Sequence, residues 1–281
     1  MDCIVVGFDG TESSFVALDW AAERATRGPC LVEIVRVDSA GLMAEDDEGS
    51  ASDAAERRLR DVAPDAEVTS RTVPGRMPGA LLRAADGADL LVIGEHRERP
   101  LRTALTGWRP LRAVSQSTVP TVVVPDDWEG AEGPVLVGVD DDDSSAAAVE
   151  FAAAEAVAAG LGLTLLHAWQ MPEPTMDGAV ALLASPIVEK AGHRRILDQA
   201  HAYVTDAYPS LNAQKVLLQD SPTAALLRAA AHASLLVLGT HHRGVLAGAF
   251  LGSVGQDALV GSQIPVCVVP VSRVVIDALS A

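Results

Sequence analysis

The chain has 281 residues, of which 49% are hydrophobic, and its formal net charge is −17. This composition is long and apolar enough for two packed domains and excludes a chain that is disordered throughout. The negative charge argues against generic binding to DNA or to anionic membranes, because like charges repel.

The N-terminal segment, MDCIVVGFDG, has an acid at position 2 and only a short apolar run. This is not the pattern of a signal peptide, and no run in the chain reaches the length of a membrane-spanning helix. We therefore expect a cytoplasmic protein. The three cysteines, Cys3, Cys30 and Cys267, lie in apolar runs without metal-ligand spacing, which predicts free, inert thiols.

The first half of the chain alternates strand and helix patterns. A continuous apolar run over 3–8 predicts a strand covered on both faces, and the next helix is predicted over about 14–26, capped by Ser13 or Ser14. CLVEIVRV predicts the second strand, and the acidic stretch AEDDEGSASD is interpreted as a loop leading into a helix that ends near Asp61. AEVTSRTV, GALLRAAD, DLLVIG and TVVV then predict a strand, a helix and two strands, a pattern typical of a doubly wound α/β fold.

The second half of the chain repeats the first. IVVGFDGTESS at Ile4 recurs as VLVGVDDDDSS at Val135, at a spacing of 131 residues. ALLRAADGADLLVIG at Ala80 recurs as ALLRAAAHASLLVLG at Ala225, and VPTVVVP recurs as IPVCVVP, both at a spacing of 145 residues. Matched blocks in one order predict two homologous parallel-sheet domains, the second with about 14 extra residues in its middle.

The polar segment PDDWEGAEGP is typical of a linker between domains. We predict a first domain over 1–126, a linker over 127–133 and a second domain over 134–281. The apolar last strand of each domain would lie at a sheet edge, where an unpaired strand is prone to aggregate. Pairing of residues 122–124 with residues 266–268 would cover both edges and form an intrachain pseudo-dimer. The sequence leaves undecided whether two such chains also form a homodimer.

The expected position of a ligand follows from this topology. Ligands of doubly wound sheets bind beyond the carboxyl ends of the strands, where the winding reverses. If the first and fourth strands flank that point, one site lies between the loops after Asp9 and Gly94, and the other between those after Asp140 and Gly239. The loops GEHRERPLRTALTGW and GTHHRGVLAGAFLGS precede helix patterns, whose N-termini favour anions such as phosphate.

These residues resemble the universal stress protein family in its tandem-domain form. The resemblance rests on VGFDG and VGVDD, on ADLLVIG and ASLLVLG, on the Gly-Ser that opens the last helix, and on VPTVVVP and IPVCVVP. It implies a five-stranded sheet of order 3-2-1-4-5, dimerisation through the fifth strands and a role in the stress response. It also implies that members with the motif G-x2-G-x9-G-[ST] after the fourth strand bind an adenine nucleotide.

In the second copy, the resemblance assigns motif positions to Gly239, Gly252 and Ser253, with His242 at the position of the second glycine. It places Asp140 near the adenine-ribose end of the nucleotide. The residue that closes the second strand, Ala168, would lie against the adenine. The second copy is therefore expected to bind ATP, although His242 weakens the backbone approach that a glycine allows.

In the first copy, Gly94 and Gly107 match the motif, whereas Arg97 and Trp108 replace its second glycine and its hydroxyl residue. The bulky Trp108 ring is expected to fill the space that a phosphate would occupy. The first copy is therefore expected to be degenerate. The positions that correspond to the acid and the adenine contact are Asp9 and Val37.

The acidic run Asp140–Asp143 repels phosphate unless a cation intervenes, so we expect Mg²⁺ to accompany the nucleotide. The same run is typical of a helix start, with Asp143 or Ser144 as the cap. His241 and His242 lack the spacing of a metal site, and we expect no metal held by the protein alone.

Three functions remain open at this stage: regulatory nucleotide binding, a nucleotide-free scaffold acting through an unknown protein partner, and a weak ATPase. The chain has no Walker lysine and no nucleophile elbow, so we expect no catalytic residue and regard the ATPase as the weakest alternative. The arginines between 97 and 112 suggest either a patch for an acidic partner or a solvated helix face. They lack interleaved aromatic residues, so no nucleic acid is expected.

Overall fold

The computed structural model describes residues 1–39, 45–95, 109–171, 186–240 and 251–271. Within these ranges the first half of the chain forms five strands and four helices. They are β1 (Asp2–Gly7), α1 (Glu12–Ala25), β2 (Cys30–Asp38), α2 (Glu45–Val62), β3 (Glu67–Pro74), α3 (Gly79–Ala84), β4 (Leu90–Glu95), α4 (Arg109–Gln116) and β5 (Thr121–Pro125).

The second half repeats this order within the described residues. Its elements are β6 (Val135–Gly138), α5 (Asp143–Ala159), β7 (Leu163–Trp169), α6 (Pro186–Ala207), β8 (Ala213–Gln219), α7 (Pro222–Ala230), β9 (Leu235–Gly239), α8 (Ser253–Gly261) and β10 (Val266–Val269). No helix among the described residues is both long enough and apolar enough to cross a bilayer.

The ten described strands form one sheet of order β3-β2-β1-β4-β5-β10-β9-β6-β7-β8. Each half is parallel and has the predicted order 3-2-1-4-5, which confirms the predicted fold class. Among the described strands, those of the two halves pair only between β5 and β10, which run antiparallel. The carboxyl ends of the strands in one half therefore point opposite to those in the other.

The seam between the halves has a symmetric register. Val122 pairs with Cys267, Val123 with Val266, and Thr121 with Val268. The predicted pseudo-dimer is confirmed, and the pairing centres on Val122 and Cys267. Both sheet edges that the last strands would expose are thereby covered inside one chain.

Two hydrophobic layers cover the sheet, and each runs across the seam. One layer packs α1, α2, α5 and α6 against one face, and it contains Val122 and Cys267. The other packs α3, α4, α7 and α8 against the opposite face, and it contains Val123 and Val266. The two domains therefore share their cores instead of burying two separate ones.

Two details of the first half differ from the sequence-based expectation. Helix α1 begins at Glu12 after Thr11, and the predicted caps Ser13 and Ser14 lie buried in its first turn, where the Ser14 hydroxyl donates to the Thr11 carbonyl at 2.8 Å. The stretch interpreted as an acidic loop is helical from Glu45 onward. Acidic residues suit the first turns of a helix, because its N-terminus carries partial positive charge.

The shared cores predict that the two domains unfold together. Replacement Leu165→Ala removes a fully buried side chain of β7, and it is expected to destabilise the chain by about 2–5 kcal/mol. Hydrogen exchange should then accelerate at the amides of β1, in the other domain, as well as at β7. In the control Val157→Ala, where the side chain is 47% exposed, both strands should keep the exchange rates of the parent. Unchanged exchange at β1 in the Leu165 variant would show that the domains unfold separately.

Candidate functional site

A cavity of about 230 Å³ lies in the second domain, beyond the carboxyl ends of β6 and β9. Its lining includes five of the six residues that the sequence nominated there: Asp140, Ala168, Gly239, Gly252 and Ser253. The sixth, His242, lies outside the described residues. The cavity is at the point where the strand order reverses, which is the usual position of a ligand in this kind of sheet.

The cavity has an apolar side formed by the sheet and by α7. Leu166 and Ala168 of β7, Leu238 of β9 and Leu226 of α7 line it. Leu166, Leu226 and Leu238 belong to the buried core, so these walls are fixed by packing. A flat apolar group such as a purine ring could lie against this side.

Another part of the cavity lining is the N-terminus of α8. Gly252 is the N-cap residue and makes no side-chain cap, and its carbonyl accepts the amide of Gln256 at 3.0 Å. The Gln256 side chain donates to the Leu251 carbonyl at 2.8 Å and so fixes the turn. The amides of the first helical turn, which begins at the exposed Ser253, have no acceptor within the helix. This end can therefore attract an anion.

Two of the four consecutive aspartates line the cavity, and one of these caps α5. Asp142 is the N-cap, and its Oδ1 accepts the Ser145 amide at 2.8 Å and the Ser144 hydroxyl at 2.7 Å. The predicted caps, Asp143 and Ser144, were therefore wrong, because both lie inside the first turn. The exposed Asp140 accepts the Asp141 amide at 2.9 Å, so the loop is held by its own hydrogen bonds.

The first glycine of each motif has a packing role that the sequence did not reveal. A Cβ atom on Gly239 would lie 2.4 Å from the Ser144 carbonyl oxygen, and one on Gly94 would lie 2.1 Å from that of Ser13. Real Cβ contacts are never this short, so α5 and α1 approach the sheet only because glycine stands there. Gly239 also lines the cavity, but the packing of α5 already requires that this residue have no side chain.

A histidine pair, His167 and His193, borders the site, and sequence reasoning missed it; His167 is buried and His193 is half-buried. His167 Nδ1 lies 2.6 Å from the Val139 carbonyl, so this nitrogen carries a proton and donates it. Its Nε2 lies 2.8 Å from His193 Nδ1 and therefore accepts a hydrogen bond from that nitrogen when both rings are neutral. Trp169 stacks on His193 with 4.8 Å between ring centroids. The pair thus ties α6 to the residue that precedes Asp140.

The electrostatic setting of His193 follows from the same contacts. Burial lowers the pKa of His193, and nearby His167 lowers it further, whereas Glu189 and Asp140 act in the opposite direction without reversing the shift. The ring is therefore held neutral more firmly than a free histidine.

The first domain places its nominated residues in the equivalent loops. Asp9 is exposed and its carboxylate accepts the Thr11 amide at 3.0 Å, while the half-buried Val37 packs on the core. Gly94 is the penultimate residue of β4, where α1 approaches the sheet closely. The other nominated residue, Gly107, lies outside the described residues together with Arg97 and Trp108.

The two domains also differ at the position of the histidine pair. The counterpart of His167 in the first domain is Arg36, which is buried with 8% exposure. Its Nε and Nη1 atoms make no hydrogen bond to any residue that the structure describes. The surroundings of the second strand have therefore diverged between the copies.

Comparison with known proteins places this geometry in a family. The sequence model of the universal stress protein family matches residues 1–125 and 133–270. Universal stress protein Rv1996 of Mycobacterium tuberculosis is 27% identical, over 94% of this chain and 94% of that protein. Two solved structures share the fold. A universal stress protein from Archaeoglobus fulgidus has a TM-score of 0.70 and 17% identity, and the match covers 96% of this chain and 98% of that protein. A putative universal stress protein from Pseudomonas aeruginosa has a TM-score of 0.69 and 16% identity, and the match covers 99% of this chain and 96% of that protein.

The packing role of Gly239 can be tested by substitution. Gly239→Ala is expected to destabilise the chain by about 1–3 kcal/mol, because the added methyl group meets the backbone at Ser144. Gly192→Ala is the control, since no described atom outside its own helical turn lies within 4 Å of the added carbon. Urea unfolding should separate the two variants. Equal midpoints would mean that the helix can move away from β9 at no cost.

The histidine pair predicts a pH dependence of stability. Because the pKa of His193 is lower in the folded than in the unfolded chain, the unfolded chain binds more protons. The contribution of neutral His193 to the free energy of unfolding is thus fully present at high pH. It is lost as the pH falls below about 6.5, the pKa of histidine in the unfolded chain. Between about pH 7.5 and 5.5, the free energy of unfolding should fall more for the parent than for His193→Asn. Parallel pH profiles from urea unfolding would contradict this assignment.

Proposed function

The chain belongs to the universal stress protein family, and on that basis we propose that its second domain binds an adenine nucleotide such as ATP as a regulatory ligand. The observation that supports this is the cavity whose lining combines an apolar wall with the N-terminus of α8. The bound and free states would be distinguished by a protein partner in the stress response. No step of this role requires the nucleotide to be cleaved.

The orientation of the ligand follows from the two sides of the cavity. Its volume, about 230 Å³, is close to the lower limit for small-molecule sites, so it suits a nucleoside better than a complete triphosphate. We place the base against Ala168 and Leu226 and the phosphates at the first turn of α8, beside Ser253. Backbone amides and a hydroxyl are there to donate to phosphate oxygens.

The charge of the site makes a divalent cation part of the proposal. Asp140 and Asp142 both line the cavity, and their carboxylates repel phosphate. Mg²⁺ prefers oxygen ligands and commonly binds through one or two carboxylates together with substrate phosphates. The nucleotide is therefore expected to bind more tightly with Mg²⁺ than without it.

The proposal assigns one nucleotide to each chain. In the first domain, Trp108 stands at the motif position that Ser253 holds in the second. A tryptophan lacks the short hydroxyl and takes up the space of a phosphate. Binding in the first domain is therefore not part of the proposed function.

Titration calorimetry tests the proposal directly. The parent chain should bind ATP with a stoichiometry near one, and removal of Mg²⁺ should weaken the binding. Gly252→Trp should abolish the heat of binding, because an indole ring would occupy the cavity. The backbone at Gly252 has φ −58°, which a tryptophan can adopt, so this variant is expected to fold.

The matched control is Gln199→Trp, which adds the same ring at an exposed position of α6. It should bind ATP as the parent does. Unchanged affinity in Gly252→Trp would place the ligand elsewhere in the chain. No heat from the parent at about millimolar ATP, the weakest affinity of interest here, would reject nucleotide binding and favour the scaffold function.

A further inference from the structure

The seam between the domains contains an approximate two-fold axis that two residue pairs locate. Equivalent residues of the two copies can contact each other only on the axis that relates the copies. Val122 and Cys267, which are equivalent by the repeat of VPTVVVP in IPVCVVP, pair directly in the sheet. Arg24 and Glu155 are also equivalent, since they are separated by 131 residues, and their side chains hydrogen-bond.

The Arg24–Glu155 contact is close and largely shielded from water. The Glu155 carboxylate accepts the Nε of Arg24 at 2.9 Å and the Nη2 of Arg24 at 2.5 Å. Its second oxygen accepts Nη1 of Arg27 at 3.1 Å. The side chain of Glu155 is 5% exposed and that of Arg24 is 12% exposed. Burial opposes the charge on Arg24, but Glu155 outweighs it and the pKa of Arg24 is raised.

The charges around the axis are unlike in the two domains. The first domain contributes the cations Arg24 and Arg27, together with Asp2, which lies 3.1 Å from Arg24. The second domain has Ala158 at the position equivalent to Arg27, and it contributes the single carboxylate of Glu155. The first domain therefore presents a net positive charge to the axis, and the second domain presents a negative one.

We propose that Arg24 and Glu155 determine which domains can pair through the edges of β5 and β10. If two first domains met across this edge, Arg24 would face a second Arg24, with an Arg27 beside each, and the half-exposed Asp2 of each copy would offset only one of its two cations. If two second domains met, Glu155 would face a second Glu155 with no cation beside it. Both pairings bury like charges, which is strongly unfavourable, whereas unlike domains form a buried ion pair.

The partner that fits the β5 edge is therefore a strand-five edge of the same fold with a carboxylate at the axis. Within this chain, the second domain meets that requirement. The backbone pairing and the apolar residues at the seam do not discriminate in this way, because valine can face valine equally well. Selection by charge is independent of whether the second domain binds a nucleotide.

A charge-reversal cycle in the complete chain tests the proposal. The variants are Arg24→Glu, Glu155→Arg and the double reversal, and the measured quantity is the rate at which Cys267 reacts with a thiol reagent. Cys267 is fully buried at the seam, and burial raises the pKa of its thiol, so its reaction requires the seam to open. Peptide mapping separates it from Cys3 and Cys30.

Each single reversal should accelerate the labelling of Cys267 at least about tenfold, because it leaves like charges buried at the axis. The double reversal should bring the rate back to within about threefold of the parent, since it restores an ion pair. Glu155→Gln, which keeps the size of the side chain, is a milder variant for the case in which a reversal fails to fold. It should accelerate labelling less than Glu155→Arg.

The control is Arg58→Glu, which reverses an ion pair within the first domain, where Arg58 Nε lies 2.5 Å from Asp19. This pair does not cross the seam, so the labelling of Cys267 should match that of the parent. Two results would overturn the proposal: parent-like labelling in both single reversals, or a double reversal as reactive as the singles. Either would show that charge at the axis does not select the pairing.

Discussion

The antiparallel pairing of β5 with β10 is the contact on which the rest of the molecule depends. It converts two parallel five-stranded sheets into a single sheet of ten strands. Both hydrophobic layers continue through it, so the seam contributes to the stability of each half. An apolar strand that would be an aggregation hazard in a lone domain is here an interior strand.

Much of this architecture could be predicted from the sequence, because the signals are periodic and repeated. Apolar runs such as CIVVGF and TVVV, and their recurrence in the second copy, indicated buried parallel strands and two homologous domains. The starts of the helices were less predictable. In the run Asp140–Asp143 any residue could act as a cap, and only the folded backbone shows that Asp142 does so.

The candidate site was predicted in position more accurately than in detail. The topology rule brought Asp140, Gly239 and Ser253 to one cavity, as expected for the ends of neighbouring strands. The rule did not distinguish a glycine that contacts a ligand from one that lets a helix pack closely against the sheet. Gly239 has the second role, because α5 approaches it at Ser144. The pairing of His167 with His193 joins a strand to a helix, and no motif in a single sequence signals such a contact.

The opposed directions of the two halves have a consequence for communication within the molecule. The strands β1 and β4 run antiparallel to β6 and β9, so the strand ends that would flank a ligand in each domain lie at opposite margins of the sheet. Any influence of one margin on the other would have to be transmitted mechanically along the strands, through the layers that cross the seam at Val122 and Cys267 and at Val123 and Val266.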